Sequence, residues 1–171
     1  MLGALALASA CSGGSDTPRA LPTLTATATP SATPVVVPSA AKAHTPFGAA
    51  AFVRFYYAQV NEAYGTANPD LLDGLSDSGC STCAAFSRAI ADMQGKRQHL
   101  EGLAVRVLSA EAPPEQNGIV AVDVFADAPA RTLVDSTGAV LQRGQADPKY
   151  HVTVFLKRVT QGWVVRAVQR S

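Results

Sequence analysis

The sequence predicts an α+β domain in which helices come first and an antiparallel sheet follows. Apolar residues recur every three or four positions as far as residue 95, and beyond that point they alternate with a period of two. Gly, Pro and Asn cluster between the periodic segments, where turns need them. Because the helical segments all precede the strand-like ones, the two kinds of element are segregated, which is typical of α+β domains.

The first helix is predicted to begin after Thr45, whose hydroxyl can cap it, with Pro46 in the first turn. Gly65 is its predicted end. Three- and four-residue spacing gives the helix one largely apolar face, made of Phe52, Phe55, Tyr56, Gln59, Val60, Ala63 and Tyr64.

Two further helices are predicted before the sheet. Asn68-Pro69 repeats the cap-and-proline signal ahead of a short helix that runs through Leu75. A third helix follows Cys83 and ends at Gly95, and its apolar stripe comprises Phe86, Ile90 and Met93.

Six strands are predicted after the third helix, over residues 103–111, 118–128, 131–135, 139–143, 149–159 and 162–169. Val120, Val122 and Val124 alternate with more polar positions, and the same pattern surrounds Val152 and Val154. Strands with one apolar face are typical of an antiparallel sheet with one solvated side.

The N-terminal segment, residues 1–11, is an apolar run that ends in small residues directly before Cys11. It resembles the signal peptide and lipobox of bacterial lipoproteins. The resemblance implies that Cys11 carries a lipid (thioether-linked diacylglycerol, with fatty acids such as palmitate) and that the protein lies on the extracytoplasmic face of the cell membrane. No Lys or Arg precedes the run, so we expect the true start codon to lie upstream.

Residues 12–45 are rich in Pro, Thr, Ser and Ala and contain no aromatic residue. This composition buries too little apolar surface to offset chain entropy, so the segment is predicted to be a disordered tether. Residues 46–171 are predicted to form the α+β domain.

Composition excludes two function classes. The chain has 171 residues, 16% of them charged, and a net charge of +1, which argues against a nucleic-acid-binding protein. No uninterrupted apolar run approaches the roughly 20 residues that a membrane-spanning helix needs. Membrane attachment is therefore expected through the lipid.

Several motifs of the domain resemble those of actinobacterial lipoproteins that carry a nuclear transport factor 2-like (SnoaL-like) domain. The shared features are Thr45-Pro46, the stretch Ala50-Ala51-Phe52-Val53-Arg54-Phe55-Tyr56-Tyr57, Leu75-Ser76-Asp77, the Gly-Cys-x-x-Cys motif at Gly79-Cys80-Ser81-Thr82-Cys83, and the Gly162-Trp163 turn. The resemblance implies a cone in which three N-terminal helices pack on a curved antiparallel sheet. The group has no assigned activity, so the resemblance implies no chemistry and no cofactor.

Cys80 and Cys83 are an even pair once Cys11 is assigned to the lipid. In an exported chain such a pair is expected to form a disulfide, whose predicted role is to fix the turn before the third helix. Redox catalysis stays open, because Cys-x-x-Cys at a helix N-terminus is the oxidoreductase spacing. A metal site would need two more ligands, and His44, His99 and His151 lack metal-site spacing.

Enzymes of the superfamily place an acid or base and a tyrosine inside the cone. The resemblance therefore makes Asp123 or His151 a candidate base, with Tyr56, Tyr57 or Tyr64 as hydrogen-bond donors. Strand alternation predicts that Asp123 and His151 face solvent instead. We therefore expect a non-catalytic binding or accessory module for an envelope protein or an apolar small molecule. Members of the superfamily often pair through the sheet, so the resemblance also implies a homodimer formed in that way. The alternative is a small hydrolyase or isomerase.

Overall fold

The computed structural model describes residues 35–170, in which the helices precede the strands. Helix α1 comprises Ser39–Lys42, α2 Pro46–Thr66 and α3 Ser81–Gly95. The predicted cap of α2 is present, since the amide of Gly48 donates to Oγ1 of Thr45 over 3.1 Å. The predicted end at Gly65 is slightly early, because α2 continues to Thr66 and ends where Ala67 adopts a left-handed conformation with φ of 50°.

The predicted second helix is a single 3₁₀ turn, Pro69–Leu72, capped by the side chain of Asn68. It ends before Leu75 because Gly74 has a φ of +73°, which a helix does not accommodate. The expectation of three N-terminal helices is therefore only partly matched.

Seven strands follow, arranged in two antiparallel sheets. They are β1 Gln98–Glu101, β2 Arg106–Glu111, β3 Ile119–Ala128, β4 Arg131–Asp135, β5 Val140–Gly144, β6 Asp147–Val159 and β7 Gly162–Arg170. The order is β1-β4-β5 in the smaller sheet and β2-β3-β6-β7 in the larger one. The α+β class is confirmed, and the architecture is consistent with a cone, although the single curved sheet of the prediction is divided in two and β1 was not predicted.

The core lies between α2 and the inner face of the four-stranded sheet. Alternation along β3 and β6 sends their valines inward, as predicted, because successive side chains of a strand point to opposite faces. The fully buried side chains of this cluster include Phe52, Val53, Tyr56, Val60, Val120, Val122, Val124, Val154 and Leu156.

Residues 35–45 differ from the predicted tether. Ala41 is buried, Trp163 Nε1 donates to the carbonyl of Ala43 over 2.9 Å, and His44 Nε2 donates to the carbonyl of Gly162 over 3.1 Å. The tether prediction is therefore wrong at its C-terminal end, because this segment, rich in Val and Ala, docks on the β6–β7 hairpin, a partner distant in sequence. Cys11 and the rest of the tether lie outside the described residues.

Among residues 35–170, no helix combines the length and apolarity that spanning a membrane requires.

Candidate functional site

Cys80 and Cys83 are joined by a disulfide at the start of α3, which is the predicted pairing. Cys80 also caps the helix, since its Sγ accepts a hydrogen bond from the amide of Cys83 over 3.2 Å. The turn before it is held by Asp77, whose side chain accepts from the amide of Gly79 and whose amide donates to the carbonyl of Val165. The disulfide thus lies within a bonded turn that fixes where α3 begins.

The surroundings of this disulfide do not favour redox catalysis or metal binding. Cys80 is 1% exposed and Cys83 3%, so neither sulfur is open to attack by a thiol of another molecule. Within residues 35–170, no group of three or more His, Cys, Asp or Glu side chains could hold a metal ion.

The two candidate bases lie on the outer face of the four-stranded sheet. Asp123 is exposed, and His151 stacks on the exposed ring of Phe125 with the ring centroids 4.7 Å apart. Nε2 of His151 lies 3.4 Å from Oδ1 of Asp123 without a well-directed hydrogen bond. The structure therefore brings Asp123 and His151 together, but it does not bring either to the tyrosines of α2. Exposed Phe125 also belongs to the surface on which a homodimer was predicted, and that dimer stays a prediction.

The tyrosines of α2 occupy different environments. Tyr56 is completely buried in the core, and its hydroxyl has no hydrogen-bond partner among the described residues. Burial raises the pKa of both Tyr56 and Tyr57 far above that of a free phenol, so neither hydroxyl ionises near neutral pH. Tyr64, which lies about two turns further along the helix, lines a cavity instead.

This cavity, which we call the α3 cavity, lies between α3 and the inner face of the three-stranded sheet. Its volume is about 330 Å³. The walls are mostly apolar and come from α2, α3, the segment before β2, and β1, β4 and β5. The lining residues are Tyr64, Phe86, Ala89, Met93, Leu100, Ala104, Val105, Arg131, Leu133, Gln142 and Gly144.

A second cavity of about 320 Å³ adjoins it and shares four lining residues with it: Phe86, Ala104, Val105 and Arg131. This neighbouring cavity is more polar. Its other walls include Tyr57, Asp147, Tyr150 and Arg170, and the guanidinium of Arg170 lies 5.0 Å from the centre of the Tyr150 ring.

Arg131 is the charged residue common to both cavities. Burial raises the pKa of Tyr64, and the nearby positive charge of Arg131 partly opposes this shift. The pKa of Tyr150 is raised in the same way, and the charges of Arg170 and Arg131 oppose that shift. Both phenols therefore stay protonated at neutral pH and can donate hydrogen bonds into the cavities.

Arg131, Tyr150 and the apolar residues contributed by β1 and β4 were not among the predicted site residues. Arg131 begins a short strand and belongs to no local motif, so its position gave no signal. The stripe of Phe86 and Met93 was found, but periodicity alone could not show that this helix face borders a cavity and not a packed core.

Residues 23–169 match the model of a protein family described as a family of unknown function (DUF6318), and the chain belongs to that family. No significant match is found among curated proteins. The family description assigns no activity, so a function has to be argued from the site.

The chain is similar to several solved structures. The crystal structure of the intermembrane space region of the chloroplast protein ARC6 has a TM-score of 0.54 at 13% identity and covers 74% of this chain and 97% of that one. The structure of Aln2 from a Streptomyces species covers 69% and 87% at 17% identity, with a TM-score of 0.45. The protein Rd1NTF2_05 covers 70% and 96% at 10% identity, with a TM-score of 0.38. At 13% identity, the likeness to the ARC6 region shows the fold and carries no information on activity.

Proposed function

We propose that this member of the DUF6318 family is a cell-envelope lipoprotein with a non-catalytic, nuclear transport factor 2-like binding domain. Its lipid is attached at Cys11, and its domain receives an apolar molecule in the α3 cavity. One observation carries the proposal: the face of α3 that includes Phe86, Ala89 and Met93 borders an open cavity. In a packed core, other side chains would fill that space.

The walls of the α3 cavity support binding of an apolar molecule. Phe86, Met93, Leu100 and Leu133 line the space between α3 and the three-stranded sheet. Displacing water from such walls is favourable by about 25 cal/mol per Å² of apolar surface covered. A volume of about 330 Å³ is near the lower end of the usual range for ligand sites, which is roughly 300–1,000 Å³. The ligand is therefore a small molecule or a single hydrocarbon chain.

The positions of the polar candidates favour binding over catalysis. Asp123 and His151 lie on the outer face of the sheet, away from the cavity, so neither can act as a base on a molecule bound there. This weakens the alternative of a hydrolyase or isomerase that uses these two residues.

A cavity-filling substitution tests the binding proposal. Ala89→Phe places a ring in the α3 cavity, whereas Ala85→Phe places the same ring on an exposed position of the same helix. In calorimetric titrations of the full chain with 1-decanol, we expect the wild type and Ala85→Phe to bind alike and Ala89→Phe to lose binding at least tenfold. Equal binding by all three proteins, or no binding by the wild type, would contradict the proposal.

The lipid anchor has a separate test. A cysteine that follows a lipobox should incorporate radiolabelled palmitate in cells that express the full-length gene, and Cys11→Ala should abolish labelling and release the protein from the membrane. Wild-type protein that stays unlabelled would refute the anchor without affecting the cavity proposal.

A further inference from the structure

We infer that the molecule bound in the α3 cavity carries a carboxylate, which the guanidinium of Arg131 binds. This inference rests on the proposed function, in which the ligand is apolar, and assigns that ligand a carboxylate head group. The ligand class is thus a small aliphatic or aromatic carboxylate, with its apolar body against α3 and its anionic group at the boundary of the two cavities.

The strand geometry directs Arg131 into this position. Arg131 pairs with Gly144 on the adjacent strand β5. A Cβ on Gly144 would lie 3.4 Å from Cγ and 3.9 Å from Nε of Arg131, so the side chain passes directly over the glycine. On the other side Gly102 approaches the Arg131 backbone, where a Cβ would lie 3.5 Å from Cα. Gly144 therefore leaves room for the arginine stem and Gly102 for its main chain, and Arg131 lines both cavities.

The guanidinium has a donor without a partner. Nη1 of Arg131 is buried, and none of the described residues accepts a hydrogen bond from it. Two other arginines near the cavities are engaged: Arg106 makes two hydrogen bonds to Asp127, at 2.9 and 2.7 Å, and Arg170 lies over Tyr150. Among residues 35–170, no carboxylate forms an ion pair with Arg131, although Asp147 lines the neighbouring cavity.

A buried charged donor without an acceptor is unfavourable, because it has lost its hydration and gained no hydrogen bond. A carboxylate in the cavity offsets this cost, since its negative charge compensates that of the guanidinium and its two oxygens match the planar fork of the group. The charged residues that line the two adjoining cavities are Arg131, Arg170 and Asp147. Their net charge is positive, which also favours an anion. The protonated hydroxyls of Tyr64 and Tyr150 are further donors for the same group.

The experiment compares two probes that differ only at the head group, sodium decanoate and 1-decanol, by calorimetric titration of the full chain at pH 7. We expect Arg131→Gln to weaken decanoate binding about ten- to hundredfold, the range of a charge-assisted hydrogen bond, and to leave decanol binding within about twofold. Arg143→Gln is the matched control, because Arg143 is exposed on β5 and lines neither cavity. It should change neither affinity.

Each outcome bears on a different claim. Decanoate binding that survives Arg131→Gln, or that falls together with decanol binding, overturns the role of Arg131 and leaves the apolar site in place. A wild type that binds neither probe overturns the proposed function and this inference together. If Arg131→Gln does not fold, the wild type decides alone: decanoate should bind at least as tightly as decanol, and strong preference for decanol overturns the inference.

Discussion

Helices α2 and α3 each have an apolar face but are buried to very different extents. Eight residues of α2 are buried, spread over its length from Gly48 to Ala63, whereas α3 has two, Cys83 and Ile90. The apolar face of α2 packs on the four-stranded sheet. The corresponding face of α3 lines the α3 cavity, which separates it from the three-stranded sheet.

The difference shows that an apolar helix face can serve two purposes. In α2 it fills the core, and removing any large side chain leaves a void. In α3 it forms one wall of a site, and the disulfide and the Asp77 turn hold the start of that wall in place. A helix that lines a cavity gains less from packing, so such local constraints contribute more to its anchoring.

The largest expected difference between the helices concerns truncation of one phenylalanine in each. Phe52→Ala in α2 should lower the free energy of unfolding by about 3–5 kcal/mol, because Phe52 is completely buried. Phe86→Ala in α3 removes a half-buried ring beside the cavity and should lower it by about 1–2 kcal/mol. Urea denaturation followed by circular dichroism measures both, and equal losses would show that α3 is as tightly packed as α2.

Removing the disulfide should have an intermediate effect. Cross-linking so short a loop stabilises by about 2 kcal/mol, so replacing both Cys80 and Cys83 by Ala should lower the free energy of unfolding by about that amount. Hydrogen exchange should then become faster in the first turns of α3 and stay unchanged in the middle of α2. Faster exchange spread equally over both helices would contradict a local anchoring role.

The smallest effect should come from acid acting on the turn before α3. The hydrogen bond from the amide of Gly79 lowers the pKa of Asp77 below its ordinary value, and the charge of Lys157 adds to the shift. Because the folded pKa lies below the unfolded value of about 3.9, the carboxylate stabilises the fold above that pH. This stabilisation is lost as the pH falls through the folded pKa.

The difference in stability between wild type and Asp77→Asn should therefore be constant from neutral pH to about pH 5 and shrink below about pH 4. Thermal unfolding at a series of pH values measures it. Asp92→Asn is the control, because Asp92 forms an exposed pair with Lys96 on the surface of α3, and such pairs contribute little. A difference in stability between wild type and Asp77→Asn that persists into strong acid would contradict the lowered pKa of Asp77.

Much of the fold follows from local signals in the sequence. The cap at Thr45 and the apolar spacing from Phe52 to Tyr64 predict α2, and the alternating valines predict β3 and β6, because burial on one face leaves a readable period. Strand β1 was missed since its four residues, Gln98–Glu101, contain a single aliphatic side chain and show no alternation.

The site could be predicted only in part. The disulfide follows from two nearby cysteines in a chain whose N-terminus resembles that of exported lipoproteins. The α3 cavity and Arg131 depend on how β4 and β5 lie against α3, and the docking of Ala43 and His44 depends on the distant Gly162–Trp163 turn. Contacts between segments so far apart in sequence leave no periodic signal along the chain.

Methyl resonances of the full chain, followed during titration with 1-decanol, test most directly whether α3 borders a binding site. We predict that the methyl signals of Met93, Leu100 and Leu133 shift together and saturate, while those of the exposed Leu108 and Leu141 stay in place. Shifts confined to the exposed leucines, or no shifts at all, would contradict the account.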